Sequence, residues 1–199
     1  MGAMGDVLPY RPPRAREEST AYLGMVIFLA SWAMMFASLF FAYAFVRSRS
    51  PIWPPLDVPV LPVRLPLLNT VVLGASSAAL QYGVWAIARG RAKWLGLNLL
   101  CALFLGIVFL VLQAVLWTRL YAQGLQPSTG GPYSSVFYGL TWFHGLHVLI
   151  GLVGLAWVYR KLRLGGISPA RHLPLRLWAM YWHFVGVIWA LMLVSIFLV

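Results

Sequence analysis

Acidic side chains and cysteine are scarce in this 199-residue chain. It holds four Asp and Glu against 15 Lys and Arg, and a single cysteine, Cys101. One cysteine excludes an intrachain disulfide and a cysteine-based metal site, and we interpret Cys101 as a small apolar packing residue. The sequence also shows no paired carboxylates, no Gly-rich phosphate loop and no serine–histidine–acid set. Nothing in the residue pattern therefore points to a catalytic centre.

Charged residues are missing altogether from five long apolar segments, predicted at 21–46, 67–88, 94–118, 136–159 and 177–199. Each has the ~20 residues that a helix needs to cross the hydrocarbon core. We predict an all-α membrane protein in which a polar N-terminal tail, residues 1–20, precedes a single five-helix transmembrane domain, residues 21–199. The lack of carboxylates at membrane depth counts against a proton pump or an ion-coupled transporter.

The basic residues are distributed unevenly between the two sides of the predicted bundle. Eleven of the 15 Lys and Arg lie in the N-terminal tail and in the second and fourth loops, and four lie on the other side. The positive-inside rule then places the N-terminus in the cytoplasm and the C-terminus outside. Because the net charge of +11 is carried by short loops beside helix ends, we expect an anionic lipid surface as the partner and no nucleic acid.

Small and polar residues recur at helical spacing within the segments. The clearest stripe, in the fourth segment, comprises Thr141, His144, His147, Gly151 and Gly154, and similar stripes run through Gly24, Ser31 and Ser38, through Thr70, Gly74, Ser77 and Gln81, and through Ala179, His183, Gly186 and Ala190. Such residues collect where membrane helices pack. We expect these stripes to face the bundle interior or a partner subunit.

Three histidines, His144, His147 and His183, are the titratable groups within the segments that could work near neutral pH. They could ligate haem or a metal, with His147 and His183 as a conceivable pair, or they could relay protons. The third interpretation, which we favour, is neutral histidines that hydrogen-bond across helices and hold the bundle in register.

Aromatic residues near the segment ends are interpreted as anchors at the membrane interface. They are Trp94, Trp117, Tyr121, Tyr133, Trp157, Tyr159, Trp178, Tyr181 and Trp182.

Several motifs resemble subunit III of the haem–copper terminal oxidases, in its short five-helix bacterial form. The stretch Trp142-Phe143-His144-Gly145-Leu146-His147-Val148 is similar to the family's FHGLHV motif, and Tyr181-Trp182-His183-Phe184-Val185 is similar to its YWHFV segment. Asn69, within Leu68-Asn69-Thr70, and Gln113, within Leu112-Gln113-Ala114, match its second and third helices. The matches follow the family order from about Ala21 to Val199.

Three positions depart from the family pattern, because acidic residues that the family usually carries are replaced. Trp32, Leu116 and Gly186 stand in their places. The resemblance therefore supports fold and assembly, and it puts in doubt any role that depends on those carboxylates.

The resemblance implies an accessory subunit without catalytic, cofactor or metal residues of its own, in a multi-pass complex of the bacterial inner membrane. Haem and copper are expected in subunit I, and subunit II and a small subunit IV are further candidate partners. Phospholipid is expected in a cleft between helices one–two and three–five, and the subunit is expected to support proton uptake and complex stability. The alternatives are an accessory subunit of a nitric oxide reductase, a stand-alone transporter and a b-type cytochrome.

Overall fold

The computed structural model describes residues 13–53, 55, 59, 61–127 and 131–198. Within them lie the helices α1 (Pro13–Arg49), α2 (Arg64–Ala88), α3 (Ala92–Ala122), α4 (Gly131–Arg163) and α5 (Leu173–Met192), which a π-helical segment, Leu193–Leu198, continues. Five helices are long and apolar enough to cross a membrane, and the described part of the chain forms no β-strand beyond one isolated bridge between Ser168 and Arg171. The all-α, five-helix prediction is confirmed.

The helices are longer than the apolar segments that predicted them. The 31 residues of α3 extend about 46 Å at 1.5 Å per residue, well beyond the ~30 Å hydrocarbon core. Hydropathy marks only the part in hydrocarbon, whereas the helix continues through charged residues such as Arg119 in its last turn. For the same reason α1 begins at Pro13, so the predicted tail at 1–20 is helical in its last part; residues 1–12 lie outside the described residues.

The central helices are α4 and α5, and α1 is peripheral. Helix α4 packs on α1, α3 and α5, while α2 packs on α5 and most extensively on α3, its partner in a tight antiparallel hairpin. In the most apolar 18-residue stretch of α4, half of the residues are buried inside the bundle. In the corresponding stretch of α1 only 6% are buried. Most of α1 therefore needs lipid or another subunit to cover it.

The helix pairing corrects one expectation. A cleft between helices one–two and three–five requires α1 and α2 to form a unit apart from the others. Instead α2 joins α3 and α5, α1 joins α4 and α5, and α1 and α2 make little or no contact with each other. The short turn at Gly90, whose φ of 76° is readily adopted by glycine, leaves α2 and α3 side by side.

Close packing between α4 and its neighbours depends on glycines that accommodate indole rings. A Cβ at Gly151 would lie 2.8 Å from the Trp182 ring, and one at Gly106 of α3 would lie 2.8 Å from the same ring. Trp182 is fully buried between them. These glycines let α3, α4 and α5 approach closely enough to enclose one of the largest side chains of the core.

Candidate functional site: the polar seam between the helices

A set of polar side chains lies between the five helices, and we call it the polar seam. It consists of Asn69, Ser76, Gln81, Gln113, Thr141, His144, His147 and His183. Buried polar groups in a membrane protein need partners inside the protein, because lipid provides none. Their pairing therefore shows what the seam does.

His144 lies at the centre of the bundle, with 1% of its surface exposed. Its ring stacks on Trp189 of α5, with centroids 5.5 Å apart, and meets the edges of Phe109 at 5.9 Å and Phe36 at 6.4 Å. Neither ring nitrogen has a hydrogen-bond partner. The aromatic rings that surround His144 come from α1, α3 and α5, so this residue packs four helices together.

His147 lies one turn further along α4, where α1 crosses it. Its Nδ1 donates to the carbonyl of Phe143 at 2.6 Å, since a carbonyl can only accept. Its ring meets Trp32 edge-on with centroids 4.1 Å apart, and the Tyr181 hydroxyl donates to its backbone carbonyl at 3.0 Å. His147 thus joins α4 to both α1 and α5.

His183 belongs to a different interface. Its Nε2 lies 3.0 Å from Oε1 of Gln81, so it joins α5 to α2, and it is half-buried. His147 and His183 are therefore each engaged with a different helix. Among the described residues no group of three or more His, Cys, Asp and Glu is placed to hold a metal ion.

Further hydrogen bonds hold α2 against its neighbours. Asn69 Nδ2 donates to Gln113 Oε1 on α3 at 3.1 Å, and both residues are fully buried. Ser76 accepts from the Trp182 indole of α5 at 3.1 Å and donates to the Ala102 carbonyl of α3 at 2.8 Å. Ser76 thus links three helices through one hydroxyl.

Gly145, within the FHGLHV-like motif, faces a tryptophan. A Cβ at this position would lie 2.9 Å from the Trp117 ring, and Trp117 donates its indole N–H to the Thr141 hydroxyl at 3.1 Å. Gly145 therefore leaves room for the indole ring of Trp117, and Thr141, just before the motif, accepts a hydrogen bond from the same indole.

The three positions where the resemblance leads us to expect acids, Trp32, Leu116 and Gly186, lie in three different environments. Trp32 of α1 covers His147, Leu116 of α3 is fully buried in the apolar core, and Gly186 of α5 lies by an open groove beside α2. A Cβ at Gly186 would lie 3.6 Å from the Ser77 hydroxyl. Each replacement is apolar, and none needs a charged partner.

The predicted stripes divide between the interior and the surface. All five residues of the α4 stripe are buried, whereas Gly24, Ser31 and Ser38 of α1 are exposed. The bundle interior thus holds the α4 stripe, and the α1 stripe is left for lipid or a partner subunit.

The interface-anchor interpretation is wrong for several aromatics. Trp94, Tyr121 and Trp157 are about half exposed, but Trp182, Tyr181 and Tyr133 are 0%, 1% and 4% exposed. Burial of Trp182 follows from its pairing with Ser76, which is 106 positions earlier in the chain. No local pattern marks that contact, although the nearby small residues of α3 and α4 are compatible with it.

Fold and seam together define a class: a multi-pass, all-α membrane protein whose helices are held together by side-chain hydrogen bonds and aromatic packing. Sequence comparison gives the family. The model of the family described as cytochrome c oxidase subunit III matches residues 17–199, and the chain belongs to this family of terminal-oxidase subunits.

Individual relatives agree with this assignment. The chain is 36% identical over 180 residues to cytochrome c oxidase subunit 3 of Synechocystis sp., an alignment that covers 88% of this chain and 74% of that protein. It is 35% identical to the subunit 3 of Thermostichus vulcanus, covering 88% and 86%, and 35% identical to that of Marchantia polymorpha, covering 87% and 66%. The chain thus spans about two thirds or more of the length of these relatives.

Proposed function

We propose that this chain is a non-catalytic accessory subunit of a haem–copper terminal oxidase, packed against subunit I in a complex that also contains subunit II. The observation that carries this proposal is the match to the subunit III family over residues 17–199. The polar seam supports this proposal, because its side chains make contacts between helices that stabilise the bundle. Haem and copper belong to subunit I in this proposal.

The exposed face of α1 is the surface that we assign to the neighbouring subunit or to lipid. The membrane-spanning part of α1, Arg16–Arg49, has 34 residues, and its most apolar stretch has a mean hydropathy of 2.1. Very little of that stretch is buried inside the bundle. Its stripe of Gly24, Ser31 and Ser38 would let another helix approach closely.

We further propose that the subunit holds lipid between its helices and so supports proton uptake and complex stability. The groove between α2 and α5, about 340 Å³ in volume, is the feature that supports lipid binding in place of the expected cleft; Thr70, Gly74, His183 and Gly186 are among its lining residues. Lipid in this groove would fill the space beside Gly186, where the resemblance leads us to expect an acid, and it would require no charged side chain there.

The location proposed for the complex is the inner membrane of a bacterium, with the N-terminus in the cytoplasm. The charge distribution supports this orientation. Cysteine labelling would test it: in a Cys101→Ala background, a membrane-impermeant maleimide applied to intact cells should label Gln123→Cys in the third loop but not Ser168→Cys in the fourth. The reverse pattern would invert the topology.

The experiment that tests the main proposal is affinity purification of the full-length chain from its native membrane in mild detergent. The eluate would be examined by mass spectrometry and by a reduced-minus-oxidised spectrum. A large histidine-rich copper subunit with haem a- or o-type bands is the expected result. A chain that elutes alone and colourless would contradict the proposal, and a haem band carried by the isolated chain would make its histidines ligands.

A further inference from the structure

A cavity of about 630 Å³ opens where α3 begins and α4 ends. This volume falls within the range of sites that bind small organic ligands. Lys93 and Trp94 line it from the first turn of α3, and Tyr159, Leu162 and Arg163 line it from the last turns of α4. The cavity therefore lies at the end of the bundle where most of the basic loop residues are found.

The rim of the cavity is cationic. Lys93 and Arg163 line it, and none of its described lining residues is acidic. Arg163 Nη1 donates to the Tyr159 hydroxyl at 3.5 Å, a long hydrogen bond that leaves the other guanidinium donors for a ligand. Lys161, by contrast, lies over the Trp157 ring, 5.0 Å from its centroid, and does not line this cavity.

The rest of the cavity is apolar and faces outward. Leu97 and Leu100 continue its wall along α3 and are 60% and 46% exposed. In a membrane-spanning helix, such residues contact hydrocarbon. Trp94, 50% exposed, and Tyr159 lie between the cations and the apolar wall, where aromatic side chains mark the depth of lipid headgroups.

We propose that this cavity binds an anionic phospholipid of the adjacent leaflet. The phosphate would lie between Lys93 and Arg163, and one acyl chain would follow Leu97 and Leu100 into the bilayer. Charge complementarity decides the headgroup, because basic pockets between membrane helices attract anionic lipids. The outward apolar wall favours a lipid over a soluble anion, because a soluble anion would gain no binding energy from Leu97 and Leu100.

This site lies between α3 and α4 and is separate from the α2–α5 groove. It goes beyond the proposed function by adding a second lipid site and naming the class of lipid and the residues that select it, and it does not depend on the identity of the neighbouring subunit. If subunit I fails to co-purify while anionic lipid is still retained, the oxidase proposal fails and this inference stands.

The test is native mass spectrometry of the full-length chain, with the subunits that co-purify with it, after reconstitution in nanodiscs that contain equal amounts of phosphatidylglycerol and phosphatidylcholine. The variant Lys93→Gln/Arg163→Gln removes the two cations. The control variant Arg89→Gln/Arg160→Gln removes the same charge from exposed neighbours that do not line the cavity. Helical content and elution volume show that each variant is folded.

The expected result is selective retention of phosphatidylglycerol by the wild type and the control. In Lys93→Gln/Arg163→Gln, retention should weaken roughly 10- to 30-fold, which corresponds to a factor of about five for each cation at the membrane surface. Leu97→Trp, which fills the cavity and leaves the charge unchanged, should also lose the lipid. Ile107→Trp, at a position 53% exposed on the same helix and away from the cavity, should keep it.

Three results would overturn the inference. Equal loss in both double Gln variants would show general attraction to a basic surface. Equal retention of phosphatidylcholine would show that the headgroup is not selected. Displacement of the lipid by inorganic phosphate, with Leu97→Trp unaffected, would show a site for a free anion.

Discussion

Trp32 of α1 and His147 of α4 meet edge to face, with ring centroids 4.1 Å apart and ring planes at 81°. The contact joins the least buried helix of the bundle to one of its two central helices. Trp32 also stands at a position where the resemblance leads us to expect an acid, so this aromatic contact replaces the carboxylate–histidine contact that such an acid would allow. The Nε2 of His147 is left without a hydrogen-bond partner.

This geometry predicts that a carboxylate is tolerated at position 32 but not on the lipid-facing side of the same helix. In Trp32→Glu the protonated carboxyl can donate to the free Nε2 of His147, whereas in Met34→Glu, at a position 69% exposed, it has no partner. An unpaired acid in mid-membrane costs about 3 kcal/mol. Met34→Glu should therefore lower the amount of folded subunit in the membrane much more than Trp32→Glu. The measurements are the yield of subunit from the membrane and the fraction that stays folded in detergent.

A double variant tests whether His147 is responsible. Trp32→Glu combined with His147→Leu removes the partner and should be as damaging as Met34→Glu. The two substitutions at positions 32 and 147 should therefore be strongly non-additive. Additive effects would show that the acid at position 32 does not contact His147.

The histidine of α5 provides a second prediction. His183→Leu removes the hydrogen bond to Gln81 and should lower the stability of the bundle by about 1 kcal/mol, a typical value for one interhelical hydrogen bond in a membrane. His147→Leu should likewise weaken assembly. Neither change should alter the haem spectrum of the purified complex, because both side chains are engaged in packing between helices.

The control for these variants is His172→Leu. His172 lies just before α5, and neither of its ring nitrogens has a hydrogen-bond partner, so its loss should leave thermal stability nearly unchanged. A visible haem band that disappears in His147→Leu or His183→Leu would instead identify the histidine as a ligand.

The sequence predicts the number and place of the helices well, because charge-free apolar segments of about 20 residues form few structures other than membrane-spanning helices. The short second loop predicts that α2 and α3 are antiparallel neighbours, and their extensive packing confirms it, but the sequence does not predict the other helix pairs. The hydrogen bond between Trp182 and Ser76 joins positions far apart in the chain, and a tryptophan near a segment end equally suggests an interface anchor. The burial of His144 and His147 follows from helical spacing, whereas the exposure of the α1 stripe depends on how α1 packs against α4 and α5.

A third prediction concerns the glycines of α4. Gly151→Ala places a methyl 2.8 Å from the Trp182 ring, and this ring is fully buried and cannot move aside freely. The helices must separate, and we expect a loss of about 1–3 kcal/mol, as for other overpacked cores. Thermal unfolding of the purified protein measures this loss.

Gly139→Ala is the matched control on the same helix. A Cβ there has nothing within 4 Å, so only the higher helix propensity of alanine acts, and stability should stay the same or rise slightly. Equal destabilisation by both substitutions would show that contact with Trp182 is not the reason why Gly151→Ala destabilises the protein.

The last prediction tests the hydroxyl that joins three helices. Ser76→Ala deletes the acceptor for the Trp182 indole and the donor for the Ala102 carbonyl, bonds of 3.1 Å and 2.8 Å. The Trp182 indole N–H would remain buried without an acceptor, while the Ala102 carbonyl would keep its hydrogen bond within α3, so the change should lower stability by about 1–3 kcal/mol.

Ser77→Ala, at the next position, is the comparison. Ser77 lines the open groove beside Gly186, where lipid can take up the space of a lost hydroxyl, and its substitution should have little effect. Ser76→Thr is a further check, because it keeps the hydroxyl but adds a methyl to a fully buried site. If Ser76→Ala and Ser77→Ala unfold at the same temperature, the Trp182–Ser76–Ala102 connection does not stabilise the bundle.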